Sequence, residues 1–440
     1  MSLATPSIPA WLAASLQVLP DTSVPWLRDF RMQQCAAVLQ QGLPKRRDER
    51  WRQTDLSIFT QTGFHVPENT SKVTCDVIRQ IRRIDSDAIF LLFINGCFVP
   101  HLSDIHLLPS NAIACSIHDA ILQHSALLQA YWQHEVAVQS HPFAGINAAL
   151  FADGLFLYLP PQCQLSVPVH IVHLVSNQQG VMVHPRNLIV LDEYAQLTII
   201  EEHVHHHASH YWSNSVNTVV AGKRAILEYH KVYKAHPTAC YIALTQVEQK
   251  QDSRCRFYHF SSQAQVVRDD LIVKLQEKHA ECEARGFYGL TQQDQSITHF
   301  VEMDHQAPQC KSNMLYKGVL REQSKAAFHG KVLVREQAQK TQAYQANHHL
   351  LLTMDAEASS RPELEIYADD VQCKHGATVG QLDADALFYL CSRGVSRQEA
   401  VGLLLSGFVE EVFADINPIV AEQIQLLLDE WLQKSHGSEA

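Results

Sequence analysis

The 440-residue sequence predicts a mainly β protein with helical ends, and three observations carry that reading. Between about residues 153 and 380 the chain consists of short runs rich in Val, Ile, Thr and Tyr, with almost no helical periodicity. Two-residue hairpin turns are scarce there, which argues for stacked rungs joined by corners rather than a meander or an antiparallel sandwich. A faint internal pattern also recurs: an apolar residue, Ala or Ser five positions on, and an apolar or small residue two further. It appears at Val190/Ala195/Leu197, Val220/Ala225/Leu227, Leu275/Ala280/Cys282 and Val319/Ser324/Ala326. A small residue after each polar corner is what close packing at the bend of a β-helix requires.

In chain order, the first stretch, residues 1–152, reads as mainly helical. Trp26 to Gln41 is an apolar-periodic helix stopped by Gly42 and Pro44, and Ile117, Ile121, Leu128 and Trp132 fall on one face of another. Between them, Ala88 to Val99 reads as a buried strand pair turning at Asn95-Gly96. The β stretch, residues 153–380, contains runs such as Val167 to Val175, Leu197 to Glu202, Ala225 to Tyr233, Ile242 to Gln249, Gln265 to Leu275, Ala280 to Phe287, Ser324 to Val334 and Glu363 to Tyr367. The last stretch, residues 381–440, returns to helices. Arg393-Gly394 closes one, and Ser396-Arg397-Gln398-Glu399 is a capping box before the stripe Val401, Leu404, Leu405, Phe408 and Val412. Asn417-Pro418 opens a final helix presenting Val420, Ile424, Leu427, Leu428 and Trp431. Amphipathic helices at a terminus either pad their own β-core or dock a partner, and the sequence by itself favours padding.

Composition narrows the function. Hydrophobic residues make up 46% and charged residues 18%, so the chain can bury a sizeable core. With 35 Lys and Arg against 46 Asp and Glu, the net charge of -11 disfavours a nucleic-acid footprint spread over the surface. The longest uncharged apolar stretch, Ala88 to Pro100, contains Asn95 and Gly96 and is too short to span a membrane. The first twenty residues lack a basic region and carry Pro6 and Pro9, so no export signal is expected and the cytoplasm is the default compartment. Among the 11 cysteines none lies closer to another than Cys240 to Cys255, which excludes a Cys-x-x-Cys clip and favours reduced thiols. There is no Gly-x4-Gly-Lys-Ser/Thr cradle, no His-Glu-x-x-His and no Gly-x-Ser-x-Gly elbow. Weight therefore shifts from catalysis to binding and assembly.

Three features have metal-ligand chemistry. In Glu201-Glu202-His203-Val204-His205-His206-His207, with His210 beyond, a strand would place His203, His205 and His207 on one face; a solvated, His-rich rung edge explains the run more simply. His299, His305 and Cys310 have no ligand-type spacing and read as ordinary core or surface residues. In Cys373-Lys374-His375-Gly376 an extended segment projects the thiol and imidazole to the same side, with Lys374 placed to lower the thiol pKa modestly. Two ligands do not complete a tetrahedral site, so a metal there must be shared with another residue or chain. Taken alone, a buried thiol beside a chance histidine is the simpler reading.

That third feature lies in the most specific text of the chain, which runs from Arg361-Pro362-Glu363-Leu364-Glu365-Ile366-Tyr367 to Lys374-His375-Gly376-Ala377-Thr378-Val379-Gly380-Gln381. This text strongly resembles the SufB/SufD family of iron–sulfur cluster assembly proteins. The similarity continues through Ala386 to Leu390 and Ser392-Arg393-Gly394. It also appears upstream at Leu315-Tyr316-Lys317-Gly318, Ala338 to Thr341 and Asn347 to Leu352, and near the start at Gly42-Leu43-Pro44, Asp48-Glu49-Arg50-Trp51 and Thr54-Asp55-Leu56. Arg52-Gln53-Thr54 departs from the family's usual Lys-Tyr-Thr, and the His203 to His210 run has no familiar counterpart.

The resemblance implies a right-handed parallel β-helix core flanked by N-terminal and C-terminal helical domains. It also implies a non-enzymatic scaffold of the SufB–SufC–SufD complex, which pairs with SufB through the β-helix and docks the ATPase SufC through helices at about residues 383–413. Phe388, Tyr389, Arg393, Gly394, Phe408, Val412 and Phe413 are the expected partner-binding residues. Cys373 and His375 would ligate a nascent iron–sulfur cluster or iron shared with SufB, and no nucleotide site of its own is expected. SufB usually carries an acidic residue where this chain has His375, which favours the SufD side of the family. Self-association into a homodimer is expected when the chain is alone. The competing reading is a β-helix enzyme acting on polysaccharide, against which the missing export signal and the acidic balance count.

Overall fold

A computed structural model describes residues 8–67, 73–82, 88–132, 141–234, 236–414, 416, 420–421, 425–426 and 428–432. The centre is a parallel β-solenoid of about 7 turns, flanked by helices on both sides. Its two facing sheets are assembled from alternate strands: sheet I runs from Ile89–Ile94 to Gln372–Gly380, and sheet II from Ile113–Ser116 to Glu357–Ile366. Successive rungs pair in parallel and in constant register. The first rungs end differently, because Cys97–Phe98 and Ile113–Ser116 pair antiparallel to their neighbours and close that end with short strands.

The small-residue pattern in the sequence is real, and the structure corrects its membership. One corner of six successive rungs entering sheet I carries a wholly buried small side chain: Ala195, Ala225, Ser253, Ala280, Cys310 and Thr341. Three of these escaped the sequence pattern because Glu248, His305 and Glu336 stand where it asks for an apolar residue, and Ser324 belongs instead to the corner before sheet II. The residue before each is left-handed, with φ of 61° at Tyr194, 56° at Arg224, 58° at Asp252, 60° at His279, 62° at Gln309 and 61° at Lys340. None is Gly. Each position is held by the neighbouring rung: the Tyr194 N–H donates to the Lys223 carbonyl (2.9 Å), Arg224 to Gln251 (2.9 Å) and Asp252 to Lys278 (3.2 Å). The parallel ladder thus continues through the bend and offsets the cost of left-handed backbone.

Three layers of apolar side chains result. The first fills the space between the sheets. The second joins the outer face of sheet II, through Trp212, Cys240, Ile242 and Val266, to N-terminal helical residues such as Phe59, Phe143 and Ile146. The third joins the outer face of sheet I, through Val232, Phe260, Phe287 and Val319, to Leu405, Val409, Val412 and Trp431. Trp431 needs a glycine beneath it, since a Cβ at Gly289 would strike its ring.

Several expectations from the pattern hold. The helix Pro25–Gln41 ends at Gly42, which has φ of 76°, and the strand pair around Asn95-Gly96 turns with both residues at positive φ. The single helix expected through Ile117 and Trp132 is instead two, Ile117–Gln123 and Ser125–Trp132. The Ser396–Glu399 capping box forms before Arg397–Glu410, and Val412 lies beyond that helix in a 3₁₀ turn, Glu411–Phe413. The cap at Asn417-Pro418 and the positions Ile424 and Leu427 lie outside the described residues.

Candidate functional site

Cys373 and His375 sit on Gln372–Gly380, the last strand of sheet I. Register places Cys373 in the row Leu197, Leu227, Cys255, Cys282, Ser312 and Ala343, all of which point into the solenoid. His375 continues the inward row of Ile199, Tyr229, Phe257, Ala284, Met314 and Gln345. Both side chains therefore belong to core columns, but among the described residues no further rung covers them. Cys373 is half-buried and His375 exposed. Spacing of two on an extended strand brings thiol and imidazole to the same side, as the sequence implied.

Lys374 does not play the role expected of it. Alternation sends its side chain to the opposite face, and the Cys373 thiol is pushed up by burial, with a backbone hydrogen bond to Ala343 opposing the shift. A thiol in this setting becomes a good ligand when a cation displaces its proton. Among the described residues, no three His, Cys, Asp or Glu side chains converge to hold a metal ion.

The surroundings are those of an unfinished end. Glu357–Ile366 and Gln372–Gly380 are the outermost strands of their sheets, and among the described residues nothing pairs with their outer edges along 10 and 9 residues. Large apolar side chains are exposed at the same end, including Met354 (87%), Tyr367 (64%), Val379 (50%) and Ile366 (40%). One rung below, Gln345 crosses the bore and donates to the Glu363 carbonyl (3.3 Å), while Gly330 leaves room for its amide. On the outer face of sheet II, Glu363 meets His329 (3.1 Å) and Arg361 (3.2 Å), and Arg361 reaches Glu49 of the N-terminal segment (2.7 Å).

The expected partner-binding residues divide into two groups. Phe388 and Tyr389, on the helix Ala384–Ser392, are 75% and 57% exposed, and Arg393 stacks on Tyr389 with its guanidinium 5.1 Å from the ring centre. Gly394 ends that turn at φ of 91° with open space around it. By contrast Val412 is wholly buried, and Phe413 packs near Phe260. Phe408 is half-buried beneath Lys317, whose ammonium lies 4.7 Å from the ring and donates to the Phe408 carbonyl (2.8 Å). The second helix thus pads the solenoid while the first leaves its aromatic face open.

The other metal candidates are resolved differently. The strand Gln196–His206 ends before His207, which turns at φ of 49°, so His203, His205 and His207 do not share a face. His203 is buried, contacts Glu201 (3.1 Å) and stacks on His173 and Tyr233. His299, His305 and Cys310 are each wholly buried; His305 pairs with Ser312 Oγ (2.8 Å) and Cys310 donates to the Glu277 carbonyl (3.2 Å).

Sequence reasoning missed the charges inside the bore. Lys231 and Asp269 form a fully buried pair (3.3 Å), with Tyr233 donating to Asp269 (2.8 Å) and Tyr229 donating to Glu201 (2.7 Å). Burial alone would raise the Glu201 carboxyl, but Lys231 and His203 hold it well below the usual range. The available signal was charged residues at positions that alternation assigns to the core.

Comparison with known proteins places these features in a family context. Residues 173–408 match the family model described as SUF system FeS cluster assembly, SufBD core domain, and residues 11–171 match the SufBD protein N-terminal region. The chain is 32% identical over 396 residues to an iron–sulfur cluster assembly SufBD family protein of Synechocystis, covering 87% of this chain and 86% of that protein. It is 26% identical over 379 residues to the iron–sulfur cluster assembly protein SufD of Escherichia coli, covering 85% and 86%. It is 26% identical over 416 residues to SufD of Bacillus subtilis, covering 91% and 92%.

Proposed function

Because the chain belongs to the SufBD family of iron–sulfur cluster assembly proteins, we propose that it is a non-enzymatic cytoplasmic scaffold that supplies half of a ligand set to a nascent cluster or iron. Cys373 and His375 are the donors, and a SufB-type sister chain provides the rest. Thiolate and imidazole are both suitable ligands for iron. The observation that carries this reading is the open last rung: two inward-facing donors stand uncovered beside two unpaired parallel strands. A sister solenoid laid against those edges would satisfy the backbone groups and cover the apolar rim. Without the sister chain, a second copy would use the same edges.

The ATPase SufC would dock on the exposed Phe388 and Tyr389 face, with Arg393 holding Tyr389 in place and Phe408, Val412 and Phe413 seating the helices on sheet I. The nucleotide would then act from the partner, transmitting movement through these helices. Anaerobic reconstitution with SufB and SufC, followed by absorption and Mössbauer spectroscopy, tests the reading. The His375→Ala protein should assemble the complex but show an altered or absent cluster signal. An unchanged signal in the Cys373→Ala/His375→Ala double variant would refute the ligand role.

A further inference from the structure

The N-terminal motif around Trp51 is not used by the scaffold reading, and it borders a cavity of about 460 Å³. Its wall includes Gly42, Leu43 and Pro44, the cations Lys45, Arg47 and Arg50, and the carboxylates Asp48 and Glu49. A concavity of this size is in the usual range for small-molecule sites.

The charge around it is unlike the rest of the chain. Residues 45–52 hold five Lys or Arg against Asp48 and Glu49, a local excess of three positive charges in a chain of net -11. The two acids are already engaged. Asp48 accepts the Lys45 backbone N–H (2.7 Å), and Glu49 pairs with Arg361 (2.7 Å). Among the described residues, no carboxylate lies within 4.0 Å of Lys45, Arg46, Arg47 or Arg52.

Arg50 adds a charge that its surroundings do not neutralise closely. Its guanidinium stacks 3.9 Å from the Phe300 ring centre, and its Nε and Nη2 are buried without a hydrogen-bond partner. The nearest carboxylate, Asp270, is 4.0 Å away and already bound by Arg268 at 2.9 Å. Asp270 is thus shared between two guanidiniums, and burial raises the Glu302 carboxyl while Arg50 opposes that rise, so Arg50 faces two carboxylates and is bonded closely to neither.

We propose that this cavity binds a small metabolite through a diphosphate group, with Lys45 and Arg47 as the direct anion contacts and Arg50 supplying field from behind. Several cations around one concave site favour multiply charged phosphate over a monoanion. The site is independent of Cys373 and His375, so it stands or falls apart from the scaffold reading.

Calorimetric titration of the full chain with inorganic pyrophosphate in low salt tests it, using sulfate as the competing anion. The expected result is saturable one-site binding, weakened at least fivefold by Lys45→Gln and by Arg47→Gln, and unchanged by Arg28→Gln on a distant exposed helix face. Both cavity variants replace side chains outside the core, and circular dichroism verifies their folding. Absence of saturable binding at millimolar pyrophosphate, equal affinity in the cavity variants, or equal displacement by sulfate would each overturn the proposal.

Discussion

The guanidinium carbon of Arg268 lies 3.6 Å from the centre of the Trp51 ring, locking the N-terminal motif onto the outer face of sheet II. The same Arg268 donates to the Arg50 carbonyl (2.9 Å), the Thr54 hydroxyl (2.8 Å) and Asp270, while Trp51 packs edge-on against His141. Trp51→Ala should therefore lower stability by about 3–5 kcal/mol, the usual result of deleting a buried aromatic. Arg268→Met should cost a similar amount by leaving the buried Asp270 without its closest cation, with only His141 (3.5 Å) and Arg50 (4.0 Å) beside it. Urea denaturation of both variants checks this, and a loss under about 1 kcal/mol in either would contradict the packing account.

Acid should weaken the fold through its interior histidines. Burial pushes His173, His184 and His299 down to about 3, and His259 and His349 down to about 4. These rings stay neutral when folded and take up protons when unfolded, so stability is full above about pH 6.5 and falls steadily towards pH 4. His299→Gln should reduce the pH slope by about one proton, or about 1.4 kcal/mol per pH unit. Denaturation midpoints from pH 7 to 4.5 would reveal an unchanged slope if the account is wrong.

His375→Ala and Cys373→Ala should leave thermal stability almost untouched, within about 1 kcal/mol, because neither side chain is fully buried. Cluster maturation in cells should nevertheless fall sharply in both. Melting curves measured beside the activity of an iron–sulfur reporter enzyme separate a ligand role from a folding role.

The two terminal helices should respond differently to charge. Phe388→Asp places a carboxylate on a side chain that is 75% exposed, so it should release the ATPase without loss of helical signal. Val412→Asp buries one where the native residue is 0% exposed and should detach the helix from sheet I. Pull-down combined with circular dichroism distinguishes these outcomes, and helix loss in Phe388→Asp would count against its free surface.

Ala280→Leu should destabilise the solenoid by about 1–3 kcal/mol through overpacking at a corner with no spare volume. An equally stable variant would mean that the corner column can relax.

Much of the fold was visible in the residues because its signals are local: β-rich runs, the Asn95-Gly96 turn and the Ser396 capping box each act within a few positions. The rung period was only half visible, since Ser253, Cys310 and Thr341 fill the corner as Ala does but follow Glu248, His305 and Glu336 where the pattern asks for an apolar residue. The left-handed corner residues were hidden for a related reason: neighbouring rungs hold them there, and no glycine announces them. The pairing of Cys373 with His375 followed from alternation alone. Their exposure did not, because it depends on which rung is last.

The solenoid's two ends are not alike: short antiparallel strands of 2 and 4 residues edge the first, and among the described residues the long edges are at the last. Under the proposed pairing, growth by stacking would have a single growing face and stop as soon as two such faces meet. A molecule paired in this way would make couples and not filaments, and would keep long, sticky strand edges in a crowded cell without seeding fibres.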